Sequence, residues 1–193
     1  MTERITTGFL LLPARPRPAG QRGFTLVEMM TALLILAILV TVGIPSFSNA
    51  TLGSRLSTDA NELLASAYLA RSEAMKRNLE VTLCVSANGT SCAGSGGWEQ
   101  GWIVIEEGSG DVIARYPARR SGFKVIAKNA GNAAFYQMEF QPSGVGVELD
   151  TGSVPVTLTV CRGAPDVGKQ ERVVTVSNTG KPRITSTEAG ACS

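Results

Sequence analysis

The sequence predicts an α+β protein in which one long N-terminal helix packs on a small antiparallel β-sandwich. Residues 29–44 carry no charge, which is typical of a helix that is apolar on all sides. Residues 56–74 repeat apolar side chains every three or four positions, as one face of an amphipathic helix does. Beyond residue 79 the chain changes to short β-branched runs separated by Gly, Asn and Pro. Short strands without intervening helices favour two antiparallel sheets.

The composition limits the chemistry that this chain can perform. Its 193 residues include 18 Lys and Arg, 16 Asp and Glu and no His, for a net charge of +2. Without His the chain cannot form a Ser-His-Asp or Cys-His catalytic group or a His-based metal site. An enzyme would depend on carboxylates such as Glu106, Glu107 and Asp111, which crowd a predicted hairpin where solvated turn charges are usual. We therefore expect no catalytic residue, no cofactor and no metal.

Residues 24–45 are predicted to form a transmembrane helix. The run from 24 to 44 has 21 residues, and such a helix is about 32 Å long, against about 30 Å for the hydrocarbon core of a bilayer. A buried core helix is the alternative, which the lack of any polar face disfavours. The segment before it carries four basic residues and one acidic residue: Arg4, Arg15, Arg17, Arg22 and Glu3. Because positive flanks stay in the cytoplasm, the remainder of the chain should be exported.

The basic stretch ends directly in front of the apolar run, at the sequence Gly23-Phe24-Thr25-Leu26-Val27-Glu28. This hexapeptide closely resembles the prepilin peptidase site of type IV pilins and type II secretion pseudopilins. The resemblance implies that the peptidase removes a leader, residues 1–23, and methylates the new terminal amine of Phe24. The mature chain would keep 170 residues in the bacterial inner membrane, with its C-terminal domain in the periplasm. The leader is longer than most in that family.

Glu28 is the one charge within the apolar segment. Insertion scales put the cost of a carboxylate at the centre of a membrane helix at about 2.5–3.5 kcal/mol, so it is retained where it has a partner. In the cleaved chain that partner is the ammonium group of Phe24, in the same molecule or in a neighbouring one. The resemblance favours the neighbour and implies that the contact sets the axial stagger of subunits in a filament. A protonated or headgroup-facing Glu28 without a role in assembly is the alternative.

The helix is expected to resume over residues 46–78 as an amphipathic rod. Its apolar face is an alanine-rich stripe: Leu56, Ala60, Leu63, Ala67, Ala70 and Ala74. This stripe should pack on the β-rich periplasmic domain, residues 79–193. Pro45 is expected either to kink or melt the helix locally or to mark its end at the membrane surface. Asn78 is the expected C-terminal stop.

Eight strands are predicted in the β-rich domain: residues 80–86, 101–106, 111–116, 123–127, 135–141, 154–161, 171–177 and 182–186. Gly108-Ser109-Gly110 and Asn178-Thr179-Gly180 are turn signals between them. Four cysteines allow three pairings, and an exported domain permits disulfides. Proximity in the sequence favours Cys84–Cys92, which leaves Cys161–Cys192, whereas four free buried thiols are the alternative.

Three further motifs indicate which branch of the pilins and pseudopilins this chain resembles. They are Leu69-Ala70-Arg71-Ser72-Glu73-Ala74-Met75-Lys76-Arg77-Asn78, Val81-Thr82-Leu83-Cys84, and Gly101-Trp102-Ile103-Val104-Ile105 following Trp98. All three are similar to the GspH/FimT branch of the pilin superfamily. The resemblance implies a pilin-like fold and a non-enzymatic minor pilin, or alternatively a GspH-type minor pseudopilin of a type II secretion system. Its partners would be the prepilin peptidase and the major and other minor pilins or pseudopilins.

A local basic patch lies near the C-terminus. Residues 168–184 have a net charge of +3: Lys169, Arg172, Lys181 and Arg183 against Glu171. Gly180-Lys181-Pro182-Arg183 resembles the Gly-Arg-x-Arg motif of FimT-type minor pilins, which is implicated in DNA binding during natural transformation, with Lys181 replacing the first Arg. Arg172, Lys181 and Arg183 are thus candidates for binding double-stranded DNA through its phosphates. An ordinary solvated strand end is the alternative, and Arg119-Arg120 is a rival basic patch.

Overall fold

The structure is a computed structural model that describes residues 23–150, 152–162, 171–187 and 192. Residues 1–22 of the predicted leader and Lys169 lie outside the described residues. Contacts within the chain divide it into two compact units, Met1–Gly43 and Ile44–Ser193. The described secondary structure consists of helix α1, nine strands and a short 3₁₀ helix at Trp98–Gln100. The predicted α+β class is confirmed.

Helix α1 covers Leu26–Arg77 and has 52 residues. It is helical without interruption through Pro45, so the expectation that the helix melts or ends there is wrong, whereas the alternative of a kink stays a prediction. A proline removes one amide donor, whereas the turns on either side keep their hydrogen bonds, and the helix continues.

In the first unit, α1 exposes apolar side chains on every side. The large hydrophobic residues among 24–40 are between 45% and 77% exposed. Nothing in the described part of this unit buries them, so this segment has no apolar core of its own. A search of the described residues finds no helix whose length and apolar character together suffice to cross a membrane.

In the second unit, α1 turns one face to the core. The six residues of the predicted stripe are all buried, and Leu52 and Ser66 extend the same face. The helix ends where predicted, because Asn78 adopts a left-handed φ of 56°. The Leu79 N–H then donates to the Ala74 carbonyl at 3.3 Å, which satisfies a carbonyl of the last turn.

Two antiparallel sheets follow the helix. The first has the order β3-β2-β1-β5-β6, with β1 at Val81–Val85, β2 at Trp102–Glu106, β3 at Val112–Tyr116, β5 at Gln137–Phe140 and β6 at Val147–Leu149. The second has the order β4-β7-β8-β9, with β4 at Phe123–Lys128, β7 at Val156–Arg162, β8 at Glu171–Val176 and β9 at Pro182–Thr187. The eight predicted strands are confirmed with ends shifted by up to two residues, and β6 was missed.

One core joins the amphipathic half of α1 to the inner faces of both sheets. Val125, Val160 and Val174 represent the inner face of the second sheet in this core. Alternate residues on these strands point away from the core, and we call that side the outer face of the second sheet.

Both predicted disulfides are present. Cys84 is bonded to Cys92 across 8 residues, and Cys161 is bonded to Cys192 across 31 residues. The second bond ties the C-terminal end of the chain to β7 in the second sheet. The alternative of four free thiols is therefore wrong.

Candidate functional site

The backbone at the predicted cleavage position is accessible. Gly23 and Phe24 lie in front of the first helical turn in a non-helical segment, and both are exposed. No heavy atom lies within 4 Å of the position that a Cβ would take at Gly23. A peptidase can therefore approach the bond between these two residues without first unfolding a helix.

The first turn of α1 is capped by a side chain. The Thr25 hydroxyl oxygen accepts a hydrogen bond from the Glu28 N–H at 3.2 Å, and the Thr25 carbonyl accepts the first helical bond from Met29. Thr25 and Glu28 thus occupy the first and fourth positions of a capping box, in which an acid also complements the positive end of the helix dipole. The Glu28 side chain remains exposed.

The predicted basic turn is the tight connection between β8 and β9. The Ser177 N–H donates to the Lys181 carbonyl at 3.1 Å, and Gly180 has the left-handed φ of 70° that this turn requires. Lys181 and Arg183 are both exposed, and Pro182 between them is buried. The Pro182 carbonyl accepts a hydrogen bond from the Tyr68 hydroxyl of α1 at 3.1 Å. The two cations are therefore displayed from a backbone that is fixed to the helix.

Arg172 does not lie beside the other two candidates. Val174 and Val176 are two and four residues further along β8 and are buried, so Arg172 faces the core side of the second sheet. Its Nε donates to the Ser57 hydroxyl of α1 at 3.2 Å, and its Nη1 donates to the carbonyl of Glu171. Arg183 is paired with Thr175 and therefore points to the outer face. The structure thus brings Lys181 and Arg183 together and places Arg172 on the opposite side.

In the rival basic patch at Arg119-Arg120, one of the two arginines is already paired with acidic side chains of the protein. The Arg119 side chain is 7% exposed, and its Nη1 contacts Asp59 Oδ1 at 3.0 Å and Glu62 Oε2 at 2.6 Å. Its guanidinium carbon also lies 4.5 Å from the centre of the Trp102 ring. Arg119 therefore joins the loop before β4 to α1 and leaves only Arg120 exposed.

Two of the three carboxylates of the predicted hairpin, Glu106 and Glu107, are engaged in contacts within the protein. Glu106 accepts a hydrogen bond from Arg77 at 2.7 Å, and Glu107 accepts one from the Thr82 hydroxyl at 3.2 Å. In the described part of the chain, no group of three or more Cys, Asp or Glu side chains is arranged to hold a metal ion.

The first sheet also carries a group of acidic side chains. Partial burial raises the pKa of the Glu139 carboxyl, and the neighbouring carboxylates of Glu107, Glu80 and Glu148 raise it further. Glu139 and Glu148 are direct cross-strand partners on β5 and β6. This part of the first sheet therefore has a negative potential.

Sequence reasoning missed two cations, Lys124 and Lys128. Both are exposed positions of β4, where buried and more accessible residues alternate. The alternation of Phe123, Val125 and Ala127 with the two lysines was the signal available in the sequence. Because β4 is more than 50 residues away from Lys181 along the chain, only the order of strands in the second sheet relates them.

The family of this chain is shown by a match that covers the end of α1 and most of the β-rich domain. The family model described as type II transport protein GspH matches residues 59–180, which is more than half of the chain. The chain belongs to the GspH family. The model of the prokaryotic N-terminal methylation motif matches residues 18–44 and includes Gly23, Phe24 and Glu28. This GspH-family chain is thus a pilin- or pseudopilin-type protein.

Comparison with solved structures finds proteins of both kinds. The chain is similar to the type IV minor pilin FimU of Pseudomonas aeruginosa, with 20% identity and a TM-score of 0.49 over 72% of this chain and 96% of that chain. It is also similar to the minor pseudopilin EpsH of the type II secretion system of Vibrio cholerae, with 13% identity and a TM-score of 0.47 over 68% of this chain and 96% of that chain. Comparison with curated proteins finds no significant match.

Proposed function

We propose that this GspH-family protein is a minor pilin, a non-enzymatic subunit of a type IV pilus. It is made as a precursor, cut by the prepilin peptidase between Gly23 and Phe24, and methylated on Phe24. The observation that carries this proposal is the coincidence of the methylation motif at 18–44 with an accessible Gly23–Phe24 bond and a capped helix directly behind it. Residues 24–45 then join the subunit to other pilins.

The same segment anchors the subunit in the inner membrane before assembly. Residues 29–44 carry no charge, and their exposed apolar side chains gain free energy in lipid or against other apolar helices. Two disulfides accord with a C-terminal domain in the oxidising periplasm. The membrane span itself stays a prediction from the sequence.

The processing step is tested by the mass of the mature chain. Protein isolated from membranes of the native host should begin at Phe24 with a methylated amine. A Gly23→Asp variant should stay uncut, because the charged side chain enters the uncrowded space beside the bond where the peptidase must bind. Thr25→Ala is the matched control, since it removes the helix cap and leaves the cleaved bond intact. A wild-type chain that retained Met1 would overturn the proposal.

We further propose that the subunit contacts duplex DNA during natural transformation through Lys181 and Arg183. Both are exposed on one face of a fixed hairpin, and lysine and arginine neutralise phosphates without reading sequence. Arg172 is not part of this surface, because it is turned toward α1. Several subunits in one filament would bind the same duplex at once, and this multivalency would raise the overall affinity above the weak affinity of one subunit.

The DNA role is tested by salt-dependent binding of full-length protein in detergent micelles to a short duplex of mixed sequence. Lys181→Ala/Arg183→Ala should reduce the slope of log affinity against log salt concentration by about 1.8, because two phosphate contacts are lost. Arg172→Ala removes one charge from the opposite face and should leave the slope unchanged. An unaltered slope in the double variant would remove the DNA role and leave the pilin role intact.

A second candidate function is that of a GspH-type minor pseudopilin in a type II secretion system. The description of the matching family, type II transport protein GspH, favours it. Deletion of the gene separates the two roles: a minor pilin is needed for pili and DNA uptake, whereas a pseudopilin is needed for release of secreted proteins. Loss of protein secretion with normal piliation would support the pseudopilin.

A further inference from the structure

A row of side chains crosses the outer face of the second sheet. Pairing between neighbouring strands aligns four residues in register: Lys128 on β4, Thr157 on β7, Thr175 on β8 and Arg183 on β9. Directly paired residues of antiparallel strands point to the same face. We call these four residues the outer row, and it has a cation at each end.

The outer row is continuous with the basic turn. Lys181 precedes Arg183 by two residues and lies on the same face, with Pro182 buried between them. Lys128 and Arg183 are three strands apart, which at about 4.8 Å per strand separates their backbones by about 14 Å. Three exposed cations thus span the width of the sheet.

In the part of the chain that the structure describes, no ion pair involves Lys128, Lys181 or Arg183. The described salt bridges use Lys76, Arg77 and Arg119 as their cations. The acid of this face, Glu171, is paired with Thr187, four residues along β9 from Arg183, and is buried. The positive charges of Lys128, Lys181 and Arg183 are therefore available to an anionic ligand, as far as the described residues are concerned.

The outer face has the chemistry of a phosphate-binding surface. Between its cations lie threonines, and threonine hydroxyl groups donate to phosphate oxygens in protein–DNA complexes. The Thr157 hydroxyl donates to the Lys128 carbonyl at 3.5 Å, so it would exchange this long contact for a phosphate oxygen. The described residues of this face include no aromatic side chain, so it offers no platform for the stacking of single-stranded bases. A duplex carries one charge per about 1.7 Å of its axis, so about 14 Å of axis contains roughly eight phosphates, and those on the side of the sheet are available to its three cations. The acidic group on the first sheet would repel the same ligand.

We propose that the duplex DNA surface of this protein extends across the outer face of the second sheet and that Lys128 is its third phosphate ligand. This proposal rests on the DNA-binding function proposed above and assigns it a residue outside the C-terminal motif. The duplex lies along the outer row, with Lys181 and Arg183 holding one end and Lys128 the other.

Lys124 provides a matched control on the same strand. It is also an exposed lysine of β4, but it lies in the row of Cys161 and the buried Glu171, two rows away from Lys128. The next residue along β4, Val125, donates its N–H to the Glu99 carboxylate at 3.3 Å. An acidic side chain therefore contacts β4 one residue away from Lys124, which makes this end of the strand less favourable for a phosphate.

The test compares full-length wild type, Lys128→Ala, Lys128→Arg, Lys124→Ala and Lys181→Ala/Arg183→Ala in detergent micelles, with a duplex and a single strand of the same mixed sequence. Lys128→Ala should reduce the salt slope for the duplex by about 0.9 and weaken binding about fivefold to tenfold near 0.1 M salt. Lys128→Arg should restore both, and Lys124→Ala should change the slope less. Unchanged thermal melting of each variant checks that the fold is intact.

The outcomes separate this proposal from the one on which it rests. If wild type binds no duplex, both are overturned. If the double variant weakens binding and Lys128→Ala does not, the C-terminal motif binds DNA and the extension to the outer row is wrong. Equal losses in Lys128→Ala and Lys124→Ala would show a general effect of net charge and also overturn it. Tighter binding to the single strand than to the duplex would exclude the duplex as the ligand.

Discussion

The Glu28→Ala protein is expected to be cleaved and methylated normally but to enter filaments at no more than about one tenth of the wild-type level. The described residues of the first unit include no Lys or Arg, so under the proposed processing a cation that meets Glu28 would be a terminal amine of a mature chain or would come from another subunit. Charge-assisted hydrogen bonds contribute about 1.5–3 kcal/mol, and the loss of such a contact lowers association at least about tenfold.

The capping box supplies the control for this experiment. Glu28 also occupies the fourth position of the box that begins at Thr25, so a defect in Glu28→Ala has two possible origins. Thr25→Ala removes the cap and keeps the charge, whereas Glu28→Gln keeps a polar side chain of the same length and removes the charge. Immunoblots of sheared filaments and of membranes measure the distribution of each variant.

The result expected is a loss in Glu28→Ala and Glu28→Gln and a nearly normal level in Thr25→Ala. Equal defects in Thr25→Ala and Glu28→Ala would assign the effect to the start of the helix. Wild-type incorporation of Glu28→Ala would contradict the proposed assembly role altogether.

The helix was predictable because its pattern is long and local. About five turns of an alanine and leucine stripe leave little ambiguity. Asn78 stops the helix in the left-handed conformation that this residue tolerates. Melting or ending of the helix at Pro45 was wrongly expected because the local preference of proline was given more weight than the helix on either side of it. β6 was missed because a strand of three residues after Gly144 and Gly146 has too little alternation to be read.

Only part of the candidate DNA-binding surface could be predicted from the sequence. The basic residues were grouped by their proximity in the sequence, whereas the pairing of the strands decides which of them share a face of the sheet. Arg172 and Arg183 are 11 residues apart, but the hairpin pairs Arg172 with Ser186 and Arg183 with Thr175, which puts them on opposite faces. The turn at residues 177–180 was recognised, and counting outward from it would have shown this separation. Lys128 is in one row with Arg183 because β4 is the neighbour of β7 in the second sheet. No local pattern in the sequence reveals this order of strands.

Replacing both cysteines of the second disulfide, as Cys161→Ser/Cys192→Ser, should lower the free energy of unfolding by about 3–4 kcal/mol. The bond closes a segment of 31 residues, and in the chain-entropy model a cross-link of that length removes this much disorder from the unfolded state. Cys161 on β7 and Cys84 on β1 are both fully buried, so the cost of burying a serine hydroxyl applies to both disulfides and does not distinguish them. Urea unfolding of the oxidised protein measures the difference.

The first disulfide is the matched control, because it tests the same chemistry over a shorter loop. Cys84 and Cys92 are 8 residues apart, so Cys84→Ser/Cys92→Ser should cost about 2–3 kcal/mol. The Ser86 hydroxyl donates to the Ser91 carbonyl at 2.7 Å, and this loop keeps that contact when its disulfide is absent. We therefore expect the Cys161 pair to matter more for stability than the Cys84 pair. The opposite order of stabilities would show that loop length does not govern the effect and that contacts around Cys84 do.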